Sequence, residues 1–169
     1  MAEEGVSRRN FMVRTIIGIV AFIGAALMVP FGGFGLLPGL KKKDAGWSDA
    51  GTIDDLKVDE PQERRFMQIV KSGWQEEKQE RSLWIVKRPD NSITAYSPNC
   101  PHLGCGYRWS DGDKRFKCPC HGSVFDINGK VLGGPSPRSL DTLDVKLEND
   151  RVLVKFVVFQ LGISDKMIA

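Results

Sequence analysis

The chain has four cysteines and two histidines, and all six lie between Cys100 and His121. They fall into two short runs, Cys100-Pro101-His102-Leu103-Gly104-Cys105 and Cys118-Pro119-Cys120-His121-Gly122-Ser123. Each run offers a thiolate and an imidazole close together. Sulfur and imidazole nitrogen in that proportion suit zinc or an iron–sulfur centre, and the donor set alone does not separate the two. Ser110-Asp111-Gly112-Asp113 between the runs reads as a turn. The runs can therefore be neighbouring tips of one small sheet that face a shared metal.

The spacing C-x-H, fifteen residues, then C-x-x-H resembles the Rieske signature. The longer forms C-P-H-L-G-C and C-P-C-H-G-S are similar to those of Rieske subunits of quinol:cytochrome c reductases, the cytochrome bc complexes. The resemblance implies one [2Fe–2S] cluster. Cys100 and Cys118 would bind an iron that stays ferric, and His102 and His121 the iron that cycles. Two neutral imidazoles in place of thiolates remove negative charge and raise the potential. The resemblance also implies a disulfide between Cys105 and Cys120, which suits an oxidising compartment. It assigns Leu103 to cover the cluster and the Ser123 hydroxyl to donate to a bridging sulfide. Gly104, Gly106 and Gly122 would let backbone amides approach the sulfurs. Gly134-Pro135-Ser136-Pro137 looks like the proline-rich third wall of such sites. One position departs: Phe125 stands where high-potential relatives carry a tyrosine that donates to a cysteine sulfur. The expectation is a lower potential, suited to menaquinol, and a bacterial menaquinol-linked enzyme.

The function implied is the iron–sulfur subunit of a membrane menaquinol:cytochrome c reductase. His121, and second His102, would contact quinol and accept its proton. Partners would be a cytochrome b-type subunit, a c-type cytochrome subunit, menaquinol and membrane lipid, within a dimeric complex. One alternative is a Rieske-type ferredoxin serving an oxygenase, which would lack a membrane segment. Another is a structural zinc module, in which the extra cysteine pair and Ser123 have no role. A ring-hydroxylating oxygenase needs two further histidines and a carboxylate for its mononuclear iron, and both histidines here are already assigned. The net charge of +3, from 24 basic and 21 acidic residues dispersed along the chain, does not suggest a nucleic-acid surface.

The elements that must position these runs are mostly strands. Residues 83–87 and 92–96 flank the turn 88–91, residues 143–147 alternate apolar and polar and are answered by 152–156, and 66–71 is a further candidate strand. Asn128-Gly129 within 124–132 is a strong hairpin signal. Residues 49–58 and 60–66 are candidates for short helical turns. The expected fold is all-β: a Rieske-type antiparallel head over 52–169, with cluster-binding loops at about 97–137. Residues 157–169 read either as a last strand with a tail or as a partner-binding segment. Residues 41–51 (KKKDAGWSDAG) read as a flexible linker on which the head would swing.

Residues 1–40 read as a signal anchor and single transmembrane helix. No charge occurs in 15–40, and a span needs roughly 20 apolar residues. Pro30 and the Gly- and Pro-rich 31–40 are expected to break the helix near the far interface. Ser7-Arg8-Arg9-Asn10-Phe11-Met12 resembles a twin-arginine export signal, a route that moves proteins already folded around a cofactor. No A-x-A cleavage site follows, so the anchor is expected to be retained. The expected location is the cytoplasmic membrane, with the N-terminus cytoplasmic and the head on the outer face. Lys41, Lys42 and Lys43 would then lie outside, against the usual charge bias; the twin arginines and the cofactor outweigh them.

Overall fold

The computed structural model describes residues 7–40, 46–72 and 75–169. They form two units, Met1–Asp44 and Ala45–Ala169.

The first unit holds one helix, α1 (Arg8–Leu40). Ser7 caps it: its hydroxyl accepts the Asn10 N–H at 3.4 Å and its carbonyl the Phe11 N–H at 3.0 Å. The helix has no polar face; Phe22, Met28 and Val29 are all exposed. Such a helix needs an apolar surround on every side. The stretch Arg8–Gly35 is 28 residues long and apolar enough to cross a membrane. At 1.5 Å per residue it spans about 42 Å, against a hydrocarbon core of about 30 Å. The expected break after Pro30 does not occur, and the helix continues to Leu40. Proline removes one N–H, and opening the helix would expose several more backbone groups. In hydrocarbon, where no water can satisfy them, the intact helix is favoured.

Among its described residues the second unit carries ten strands: β1 (Trp47–Thr52), β2 (Gln62–Ser72), β3 (Gln75–Lys87), β4 (Ile93–Tyr96), β5 (Arg108–Ser110), β6 (Arg115–Lys117), β7 (Val124–Phe125), β8 (Val131–Gly133), β9 (Thr142–Glu148) and β10 (Arg151–Lys155). The all-β expectation for the head holds. Six strands pair antiparallel in the order β1-β10-β9-β4-β3-β2, and four in the order β5-β6-β7-β8. The larger sheet curls until β1 packs on β2. Asn149 and Asp150, with φ of 50° and 62°, make the tight turn between β9 and β10.

Alternation on β3 explains how the sheets share the interior. Leu83 and Ile85 enter one core with Phe66, Val152, Val154 and Phe156. Trp84 and Val86 enter a second core with Tyr96, Tyr107, Phe116 and Phe125. Residues 83–86 of β3 are thus buried on both faces, and the second core joins the large sheet to the small one that carries the metal-type residues.

Two boundaries differ from the sequence expectation. Residues 41–45 of the expected linker lie outside the described residues, but Trp47–Thr52 is a strand, so the head begins before residue 52. Its inward side chains are Ser48 and Ala50, too small to give an apolar signal. The strand is held by pairing with β10 and by the Arg151–Asp49 ion pair. Likewise Glu60–Phe66 is no helical turn; from Gln62 it belongs to β2.

Candidate metal centre

The first run leaves β4 and returns to β5; the second joins β6 to β7. The two loops share one backbone pattern. Cys100 N–H donates to the Cys105 carbonyl, and Cys118 N–H to the Ser123 carbonyl, both at 2.8 Å. Gly104 N–H donates to the Cys100 carbonyl at 2.9 Å, and Gly122 N–H to the Cys118 carbonyl at 3.1 Å. The fifth position must turn back with positive φ, +80° at Gly104 and +73° at Gly122, which glycine adopts without strain.

This pairing of loops gathers the six residues. Cys105 and Cys120 form a disulfide, and Cys100 and Cys118 remain free thiols, both buried. The sulfurs of Cys105, Cys118 and Cys120 lie within 4.8 Å of one another. The two in the disulfide have no thiolate to offer, so that proximity marks a staple beside Cys118. The His102 and His121 rings meet edge to face, with centroids 4.8 Å apart and planes at 88°. His102 is half-buried and His121 exposed. Burial pushes the Cys100 thiol up, and Cys118 adds to the rise; the His102 amide and the Ser123 hydroxyl oppose it.

Ser123 is fully buried; its hydroxyl lies near enough to the Cys100 thiol to oppose the rise in its pKa and accepts the Ser136 N–H at 3.2 Å. Ser136 belongs to the 134–137 loop, which lies directly on the second loop. A Cβ on Gly134 would stand 2.5 Å from Ser123 Cα, so only glycine fits there. Leu103 is 60% exposed, an apolar side chain at the rim. Phe125 is fully buried beneath the loops. The buried Tyr107 packs beside it at 6.2 Å between centroids, yet its hydroxyl donates to the Ser97 carbonyl at 2.6 Å. Burial pushes the Tyr107 phenol well above its usual range.

Two buried thiols left free beside a formed disulfide, with two imidazoles converging, fit a metal cluster of mixed sulfur and nitrogen ligation. Residues 46–144 match the Rieske [2Fe–2S] domain family. The chain belongs to that family. The Rieske head therefore carries one [2Fe–2S] cluster. Over 163 residues it is 34% identical to the cytochrome b6-f complex iron-sulfur subunit of Synechococcus sp. (strain CC9605), covering 89% of this chain and 85% of the relative. It is 35% identical over 141 residues to the menaquinol:cytochrome c reductase iron-sulfur subunit of Bacillus subtilis (strain 168), covering 80% and 82%. Among solved structures, the cyanobacterial plasma membrane Rieske protein PetC3 from Synechocystis PCC 6803 is 30% identical with a TM-score of 0.47, over 64% of this chain and 98% of that one.

The Rieske match ends at residue 144. Beyond β10 the chain folds back rather than trailing away. Phe159 bridges to Ile168, and Gly162 N–H donates to the Pro101 carbonyl in the first ligand loop at 2.9 Å. The readings of 157–169 as a last strand or as a partner-binding tail missed this contact. The one trace of it in the sequence is the opposite charge of Arg138 and Asp141, three residues apart, which form a bidentate pair.

Proposed function

We propose that this chain is the iron–sulfur subunit of a membrane menaquinol:cytochrome c reductase. Cys100 and Cys118 hold one iron and His102 and His121 the other. The observation that carries the reading is that loops joined by the Cys105–Cys120 disulfide bring the His102 and His121 rings edge to face and leave Cys100 and Cys118 as buried free thiols. The bound cluster supplies a one-electron acceptor whose potential the neutral imidazoles raise.

The protein's own groups do the rest. The ring nitrogen of His121 left free by ligation accepts the quinol hydroxyl as a hydrogen bond and then takes its proton. His121 comes first because it is exposed, and His102 is second because it is half-buried. Leu103 at the rim offers the quinol ring an apolar neighbour. One electron is passed on to a c-type cytochrome, and the second quinol electron enters a cytochrome b-type subunit of the same dimeric complex. Menaquinol is favoured because neither nearby phenyl ring sends a hydroxyl to the site: Phe125 has none, and that of Tyr107 is committed to Ser97. Fewer donors to the sulfurs mean a lower potential. The relative from Bacillus subtilis bears the same menaquinol name. Helix α1 anchors the subunit in the cytoplasmic membrane, with its N-terminus inside and the head outside. The Ser7-Arg8-Arg9 pattern at its capped start supports that orientation.

Affinity isolation of the full chain from its own membranes tests this. Expected are co-isolated b- and c-type haem, and menaquinol-dependent cytochrome c reduction that His121→Ala abolishes. Zinc in place of iron, or a chain that isolates free of haem proteins, overturns the reading.

A further inference from the structure

Among the described residues, the first ligand loop pairs with itself only through the Cys100–Cys105 and Gly104–Cys100 hydrogen bonds and the Asn99–Gly106 bridge. Residues 160–163 hold it from outside. Gly162 N–H binds the Pro101 carbonyl, between the two ligands of that loop. A Cβ on Gly162 would stand 3.5 Å from the His102 carbonyl, and one on Gly104 only 2.7 Å from Leu161 Cδ1. The segment thus lies along the backbone of 101–104.

That segment is itself fixed by Arg138. Its Nη1 donates to the Ile163 carbonyl at 2.5 Å and its Nη2 to the Gln160 carbonyl at 2.6 Å. Nε and Nη2 also bind the two Asp141 oxygens at 2.9 and 2.8 Å. The ion pair is nearly removed from water, with side chains 8% and 3% exposed. Such burial is unfavourable unless geometry and further hydrogen bonds offset the desolvation, as the planar guanidinium does here. On its other side, the Arg138 carbonyl accepts the Ser136 hydroxyl at 2.8 Å, and Ser136 N–H binds Ser123 in the second ligand loop. Arg138 therefore stands between the brace of one ligand loop and the brace of the other.

We propose that Arg138 is a positioning residue for the cluster, coupling the two ligand loops without a covalent bond and in parallel with the Cys105–Cys120 disulfide. It acts by holding 160–163 against 101–104 and so fixes where His102 stands relative to His121. The proposal rests on the Rieske reading of the loops. Each link alone holds the loops only in part; losing both releases them.

A double-mutant cycle on the full chain in detergent tests this. The variants are Arg138→Gln, the Cys105→Ser/Cys120→Ser pair, and their combination. The readouts are the rate of cluster loss to a chelator, the midpoint potential and the electron paramagnetic resonance g-values. Each single change is expected to speed cluster loss on the order of tenfold and to shift the potential and g-values. The combination should exceed the product of the two, and Arg138→Lys should restore part of the loss. Purely multiplicative rates overturn the proposal. So does a lowered melting temperature with potential, g-values and cluster loss unmoved. If Arg138→Gln does not fold, Leu161→Ala replaces it, since it leaves the ion pair intact; additivity with the disulfide there also overturns the proposal. An unmodified chain that carries no cluster would sink the Rieske reading instead, so the two failures are distinct.

Discussion

Ser123→Ala isolates one interaction whose strength the structure bounds. The hydroxyl is fully buried beside the Cys100 thiol, whose pKa it lowers, and in the proposed site it would donate to a cluster sulfur. A hydrogen bond to a charged acceptor contributes about 1.5–3 kcal/mol. It exists in both oxidation states, so only its strengthening in the more negative, reduced state enters the potential; about half, or roughly 0.75–1.5 kcal/mol, is a reasonable share. For a one-electron couple, 59 mV corresponds to about 1.4 kcal/mol, so the midpoint should fall by roughly 30–65 mV. A second effect separates cleanly. The Ser136 N–H, which now donates to Ser123 at 3.2 Å, is left buried and unpaired. That omission should lower stability by about 1–3 kcal/mol. A potentiometric titration followed by electron paramagnetic resonance reads the first effect, and thermal unfolding the second. An unchanged midpoint at full cluster occupancy would refute the reasoning, because it would mean that the hydroxyl does not sense the charge on the site.

Other perturbations have equally definite outcomes. Phe125→Tyr should raise the midpoint, and an equal or lower value in the same titration counts against low-potential tuning by the missing hydroxyl. Opening the disulfide with Cys105→Ser/Cys120→Ser should destabilise the head by about 3 kcal/mol, the loop-closure value for its separation of 15 residues, read by denaturant unfolding. Gly134→Ala forces a Cβ into the Ser123 backbone at a φ of +90°, so cluster content per purified chain should drop sharply. Burial tends to raise the Asp49 carboxyl, but hydrogen bonds from Arg151 and Gly51 outweigh it and hold the carboxyl below its ordinary value. Its contribution is therefore complete above the ordinary aspartate range and fades as pH falls through the folded-state value. Because the pair is about half exposed, Asp49→Asn should change stability by only about 0.5 kcal/mol at neutral pH, and by less in acid.

The metal-type residues were legible because cysteine and histidine are rare and here confined to one window. The end of β3 and strands β4, β9 and β10 were legible because short apolar runs are bounded there by turn residues, with clear alternation on β9. β1 was not, since its buried positions are Ser48 and Ala50, and the pairing that holds it comes from β10, about a hundred residues away. The helix beyond Pro30 departs from a rule that holds in water, where a broken backbone is re-solvated. The path of 160–163 had no periodic signal at all. It is set by one guanidinium and one glycine amide reaching backbone carbonyls, and such contacts leave almost no trace in residue type.

The central claim is that Cys100, His102, Cys118 and His121 hold a Rieske cluster tuned toward a weakly oxidising potential. A redox titration of the purified full-length chain, monitored by electron paramagnetic resonance, tests it most directly. The expected result is a g-anisotropic signal on reduction, with a midpoint inside the Rieske range of about −150 to +300 mV and below that of the Phe125→Tyr variant. A midpoint near the roughly −400 mV of all-cysteine plant-type clusters, or a colourless protein with no signal, would contradict it.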